Sequence, residues 1–166
     1  RLYSARDIVN TRWLKAQTDA GMALRDAVAL LRSLAGDHAD AASLTPHQRL
    51  IAGIVAATGI FDEPSIERAL DEAFATLRID DVCVNLLQPL LITVGELWHS
   101  GEFTVNHEHF VTNLVQRKLF TLLAAAPSSD HGLKFVCFCA PGELHEVGLL
   151  MMSVLLRHAG HMVIYL

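Results

Sequence analysis

Apolar residues recur at spacings of three and four along most of the chain and become continuous runs only near its C-terminal end. At the N-terminus, Ser4 is followed by Asp7 and then by Ile8, Val9, Trp13 and Leu14, which predicts a helix capped at Ser4 and ending near Ala20-Gly21. A second helix follows, with Leu24, Val28 and Leu31 on one face, Gly36 as its stop, and a polar, alanine-containing linker from Asp37 to Ser43. Four more helical patterns come in quick succession. Thr45-Pro46, a capping hydroxyl before a first-turn proline, opens one that ends near Gly59. Asp62 to Pro64 opens the next, carrying Ile66, Leu70, Phe74 and Leu77. Asp80-Asp81 opens a third, through Val84, Leu87, Leu91, Val94 and Trp98 to Gly101, and Pro89 is expected to bend it. Thr104 caps a fourth, which runs to Ala125-Ala126-Pro127. Four helices joined by short loops predict an antiparallel bundle over 44–127.

After Ser128 to Gly132 the period changes. Leu133 to Ala140 is a near-continuous apolar run, the pattern of a buried parallel strand, and Pro141-Gly142 breaks it. Glu146 to His158 then reads as a helix, Gly160 as its end, and His161 to Leu166 as a second apolar strand. The expected fold is therefore mainly α with a C-terminal α/β piece: a four-helix bundle followed by one βαβ unit. Two parallel strands cannot cover their own faces and edges, so the chain is expected to be part of a longer protein.

Composition narrows the function classes. Of 166 residues 52% are hydrophobic and 19% charged, which excludes a disordered chain. The longest apolar stretch, Val147 to Leu156, is interrupted by Gly148 and Ser153 and is too short to span a bilayer. Thirteen basic against 18 acidic side chains leave a net charge of −5, so this chain should not hold nucleic acid by electrostatics. Cys83, Cys137 and Cys139 lie in apolar surroundings and read as reduced thiols of a cytoplasmic protein; Met151 and Met152 read as core fillers.

Nine histidines are the unusual feature, and three places combine them with other chemistry. Glu143-x-His145-x-x-Gly148 sits on the expected strand-to-helix turn, where open α/β sheets bind ligands. A carboxylate can fix one ring nitrogen of a histidine and leave the other for a metal, and Gly148 would let a planar ligand approach the backbone. Equally, His145 could cap its helix or face solvent. Trp98-His99 ends one bundle helix, and Val105, Glu108 and His109 share a face of the next at spacings i, i+3 and i+4. They could line a half-polar pocket, or Trp98 could be core and the others solvated. A zinc site from His99, His107 and His109 lacks the spacing of helical zinc motifs.

Taken together, Trp98-His99-x-Gly101-Glu102, Val105-x-x-Glu108-His109-Phe110 and Glu143-x-His145-x-x-Gly148 resemble the light-sensing module of CarH/LitR-type MerR-family transcriptional regulators, which are cobalamin-dependent photoreceptors. Arg1-x-Tyr3-Ser4-x-x-Asp7 and the two helices after it resemble the end of a MerR-type DNA-binding domain. The resemblance implies three parts: C-terminal helices of a MerR-like domain at 1–36, a bundle at 44–127, and the start of a flavodoxin-like cobalamin-binding domain at 133–166. It implies adenosylcobalamin, with methylcobalamin as the other corrinoid form, operator DNA as partner, and a homo-oligomer. His145 would be the lower ligand of cobalt, with Glu143 orienting it. Trp98 would cover the upper adenosyl group, Val105, Glu108 and His109 would contact it, and His99 would reach cobalt after light breaks the Co–C bond. Arg1 and Tyr3 would be remnants of the DNA-contacting wing. No catalytic acid–base pair is implied. A corrinoid-binding module of a methyltransferase, in which Asp usually stands where Glu143 does, and a cobalamin-free regulator with an interaction bundle are the competing expectations.

Overall fold

The computed structural model describes residues 5–34, 44–127, 132–140, 142–143 and 146–166. Ser4, Gly36 and the 37–43 linker lie outside the described residues. The order is α1 (Ala5–Asp19), α2 (Leu24–Leu34), α3 (Pro46–Gly59), α4 (Glu63–Thr76), α5 (Ile79–Asp81), a π-helical turn (Val82–Leu87), α6 (Gln88–Ser100), α7 (Val105–Ala125), β1 (Lys134–Cys137), α8 (Val147–His158) and β2 (Met162–Tyr165).

Local signals set the bundle's helix starts. The Gln48 N–H donates to Thr45 Oγ1 at 3.2 Å and the Thr45 N–H donates to Gln48 Oε1 at 2.8 Å, a reciprocal cap before α3. Asp62 caps α4 by accepting the Ser65 N–H at 3.2 Å and the Ser65 hydroxyl at 2.6 Å. The bond from the Ser65 hydroxyl, then that from its N–H, holds the Asp62 carboxyl below the usual carboxylate range.

The rod made of α5, the π turn and α6 departs from expectation around Pro89. Proline has no N–H for the carbonyl four residues back, and its ring crowds that carbonyl. The helix widens ahead of it, and the Gln88 N–H donates to the Cys83 carbonyl, five residues back. The extra residue shifts the helical phase. Val82, Cys83, Leu86, Leu87, Leu90 and Val94 are buried, whereas Val84 is 50% exposed and Leu91 only partly buried. Burial pushes the Cys83 thiol up to about 11, so it packs as an inert apolar group. Facing this rod, α7 buries Val111, Leu114, Val115, Leu119 and Leu123.

Helix α1 adds Trp13 to the same core and α2 adds Ala27 and Leu30; Leu24, expected on the inner face, is exposed. Gln17 of α1 is fully buried, and both its amide oxygen and nitrogen lack a partner. It borders a half-open cavity of about 370 Å³ between α1–α2 and the bundle, which Met22, His47, Gln48, Ile51 and Pro89 also line. An unbonded buried polar group costs ~1–3 kcal/mol. Gln17→Met, of similar shape, is therefore expected to raise unfolding stability by ~1 kcal/mol or more in a urea titration; a loss would contradict this reading of the site.

The C-terminal part is a βαβ unit with a two-stranded parallel sheet. The register pairs Lys134 with Met162, Phe135 with Val163, Val136 with Ile164 and Cys137 with Tyr165. Helix α8 packs on α7, and its Val147, Leu150 and Val154 join the bundle's core. The strands are less buried than their apolar runs predict. Cys137 and Val163 face inward, but Val136 and Ile164, paired on the other face, are exposed, as are Leu133, Phe138 and Leu166 beyond the strand ends; among the described residues α8 covers one face of the sheet. Cys139 lies past the strand and is half-buried, and Met152 is exposed instead of filling the core. All three cysteines are free. Strand β1 is entered through Gly132, where a Cβ would stand 2.2 Å from the Gly160 carbonyl oxygen. Among the described residues no helix is long and apolar enough to cross a membrane.

Candidate functional site

Gly101 closes α6 in the left-handed conformation, φ +81°, and its N–H donates to the Trp98 carbonyl at 3.0 Å. Such a backbone suits glycine, and it turns the chain at once into α7. The last turn of α6 and the first turn of α7 therefore stand side by side. Trp98 is 43% exposed, not a core residue, with its indole edge-on to the His99 ring at 5.0 Å. His99 Nδ1 lies 3.2 Å from the Gly95 carbonyl oxygen. A carbonyl can only accept, so Nδ1 donates to it, and in the neutral ring Nε2 then keeps its lone pair, the form of a histidine that can bind a metal.

On α7, Val105 is exposed and Glu108 is paired on both oxygens. One lies 2.5 Å from His109 Nδ1, and the other accepts the Thr112 hydroxyl at 2.9 Å. His107 points elsewhere. Its ring is stacked between Phe61 (centroids 4.5 Å apart) and Phe103 (4.8 Å), and its Nδ1 accepts the Thr104 N–H at 3.0 Å. It holds the start of α7 and does not converge with His99 and His109; among the described residues no group of three histidines, cysteines or carboxylates could hold a metal.

The β1–α8 turn brings the third motif. The Glu143 N–H donates to the Ala140 carbonyl at 3.0 Å, and Glu143 is exposed. Gly148, in the first turn of α8, is exposed, with no atom within 4 Å of where a Cβ would stand. That open backbone is what a flat ligand lying on the turn requires. His145 lies outside the described residues, as do Arg1 and Tyr3.

Sequence reasoning missed the group that ties this turn to the bundle. Glu146 Oε1 accepts from Gln116 Nε2 of α7 at 3.1 Å, and Oε2 accepts the Tyr165 hydroxyl of β2 at 3.2 Å. Burial, then the adjacent Glu146 carboxylate, pushes the Tyr165 phenol up to about 12, so it remains a donor. Glu108, Thr112, Gln116 and Phe120 recur every four residues on α7, and Phe120 meets the Tyr165 ring edge-on at 5.6 Å. The i, i+4 polar file was visible in the sequence; its partners across the fold were not.

Residues 50–123, from α3 through most of α7, match the family model described as the B12 binding domain. The chain aligns with the HTH-type transcriptional repressor CarH of Myxococcus xanthus at 39% identity over 168 positions, covering 96% of this chain and 56% of that protein. A second relative, the HTH-type transcriptional repressor CarA of the same organism, is 26% identical over 113 positions, 68% of this chain and 38% of that protein. The chain spans about half the length of the curated relatives it matches. The family-model match covers the helices bearing Trp98, His99, Val105, Glu108 and His109, while Glu143, Glu146 and Gly148 lie beyond it.

Proposed function

We propose that this chain is the cofactor-sensing part of a cobalamin-binding transcriptional regulator, without enzymatic activity of its own, that works in the cytoplasm. Its parts are the end of a MerR-like DNA-binding domain at 1–36, the bundle at 44–127 and the opening of a cobalamin-binding α/β domain at 133–166. Adenosylcobalamin is the corrinoid that suits it, held between the α6–α7 end of the bundle and the β1–α8 turn. The observation that carries this reading is the pairing of a half-exposed indole and a metal-competent His99 at that bundle end with the open backbone at Gly148, in a chain related to CarH.

The roles follow from what each side chain offers. His145 would hold the metal, with Glu143 as the carboxylate to orient it. Trp98 and Val105 would cover the bound group and keep water from it. Glu108 and His109, already bonded to each other, present polar groups to the adenosyl moiety. When bound, the corrinoid supplies a light-labile cobalt–carbon bond. His99, its Nδ1 proton fixed on Gly95, is the ligand in reserve. Emptying the space beside Trp98 leaves the α6–α7 end to repack, and that two-state change alters oligomeric state and operator binding. DNA is reached through the part that precedes this chain's bundle, which agrees with a net charge of −5 here.

The test uses the intact protein and adenosylcobalamin in the dark, followed by gel filtration and a visible spectrum. Corrinoid should co-elute with the protein. His145→Ala should weaken dark binding by ~10-fold or more, the usual effect of losing a ligand or its support. His99→Ala should bind normally in the dark and lose only the illuminated adduct. No co-eluting corrinoid would overturn the cofactor assignment, and a spectrum indifferent to green light would overturn the light response.

A further inference from the structure

We propose that His107 is a positioning residue for the adenosyl contacts of the site: its ring, held between Phe61 and Phe103, locks the first turn of α7 to the tip of α6 and sets the preference for adenosylcobalamin over corrinoids with a smaller group on cobalt. The inference rests on the assignment of Trp98, Val105, Glu108 and His109 to the adenosyl moiety.

Three elements meet at this ring. Phe61 belongs to the turn between α3 and α4, Phe103 to the turn between α6 and α7, and His107 to the first turn of α7. The His107 ring lies nearly parallel to both phenyl rings, at 20° to Phe61 and 22° to Phe103, with centroids 4.5 and 4.8 Å away. Phe110, further along α7, meets the Phe61 ring edge-on at 5.2 Å. The Phe103 N–H in turn donates to the carbonyl of Leu97, the residue before Trp98, at 2.9 Å. The stack therefore runs from the α3–α4 turn through α7 to the end of α6.

Phe61 carries a second sign that this stack matters. Among the described residues it is the one non-glycine with a positive φ, +55°. A bulky side chain rarely adopts that backbone, and such strain persists only where surrounding contacts hold it. Phe61 is 47% exposed, so burial does not account for it. What the strained turn achieves is to lay the ring on the start of α7.

The ring does more than its capping bond. His107 Nδ1 accepts the Thr104 N–H at 3.0 Å, but that bond lies at the surface, where water can take the acceptor's place at little cost. Nothing takes the place of the middle ring of the stack. Residues of an α-helix are ~100° apart, so His107 stands ~200° around α7 from both Val105 and His109. The stack braces α7 from behind, and the side bearing Val105 and His109 is left exposed for a ligand. A first turn released from the stack would misalign Val105 and the Glu108–His109 pair relative to Trp98.

The experiment titrates adenosylcobalamin and methylcobalamin, which differ only in the group on cobalt, into the intact protein and its variants in the dark. Amide exchange of His109 to Thr112, whose bonds close the first turns of α7, is measured on the ligand-free proteins. His107→Ala should lower the ratio of adenosyl- to methylcobalamin affinity ~10-fold, the effect of losing one or two aligned hydrogen bonds, leave methylcobalamin near wild type and speed that exchange. Phe61→Gly removes a ring of the stack from another element and suits the left-handed backbone, so it keeps the test open should the alanine variant fold poorly. It should lower the ratio likewise. His107→Phe keeps three stacked rings and loses the acceptor, and should stay near wild type. His107→Gln keeps an acceptor for the Thr104 N–H and loses the ring, and should fall with alanine. The proposal is overturned if the ratio is unchanged in His107→Ala and Phe61→Gly, or if both corrinoids weaken alike, as a general loss of folding would cause. It is also overturned if His107→Gln restores the ratio and His107→Phe does not, since the cap and not the stack would then set the turn. Wild-type protein that binds neither corrinoid would overturn the cofactor reading itself, while exchange at His109 to Thr112 would still decide whether the stack holds the turn.

Discussion

Leu150→Ala is expected to destabilise the protein by ~2–5 kcal/mol, the range for truncating a large aliphatic side chain in a core. Leu150 is fully buried and belongs to the cluster that α8 shares with the bundle. The loss has two parts, the transfer energy of the missing atoms and the cavity left where neighbours cannot close in. α8 is held by few such residues (Val147, Leu150, Ser153 and Val154 are its buried set), so little else can compensate. Urea unfolding followed by circular dichroism gives the value directly. Met152→Ala on the same helix, at a side chain 48% exposed, is the matched control and should cost well under half as much. Equal losses at the two positions would mean that α8 docks by a different face.

The second large effect is expected at Gly132. A Cβ added there would stand 2.2 Å from the Gly160 carbonyl oxygen and 2.8 Å from the His161 Cα, both of them backbone. Gly160 itself is tied into the turn after α8, its N–H donating to the Arg157 carbonyl at 3.1 Å. The Leu133 carbonyl accepts the Met162 N–H at 2.9 Å just beyond this point, so moving the chain apart also loosens the start of the ladder. Gly132→Ala should cost ~1–3 kcal/mol by overpacking, seen as a lower thermal midpoint and faster amide exchange in both strands. An unchanged midpoint would show that the two backbones are not in this contact.

What could be read from the sequence was what local chemistry decides. Thr45-Pro46 with Gln48, Asp62 with Ser65, and Gly101 mark their helix boundaries because each bond closes within three or four residues. The closeness of Trp98-His99 to Val105, Glu108 and His109 follows from the same short turn. Other features depend on the fold as a whole. The outward placement of Val84 needs the widened turn, and Pro89 announces only a missing donor, not how the helix will absorb it. The exposure of Val136 and Ile164 depends on which sheet face a helix covers. Glu146 was in plain view beside His145, but its role depends on Gln116 and Tyr165, which are brought to it by the docking of α8.

The widened turn at Val82–Leu87 also bears on how this helix tolerates changes in length. It carries one residue more than an ordinary α-helical turn, so the stretch before Pro89 acts as a phase adjuster: everything after it, including Trp98 and His99, is rotated about the rod axis by ~100° relative to an unbroken α-helix. The aim of the indole is thus set some ten residues upstream of it. A one-residue deletion among Val82 to Leu87 that turns the widened stretch into a plain α-helical turn would therefore leave the tip of α6 at its present heading, whereas a deletion after Pro89 would swing it.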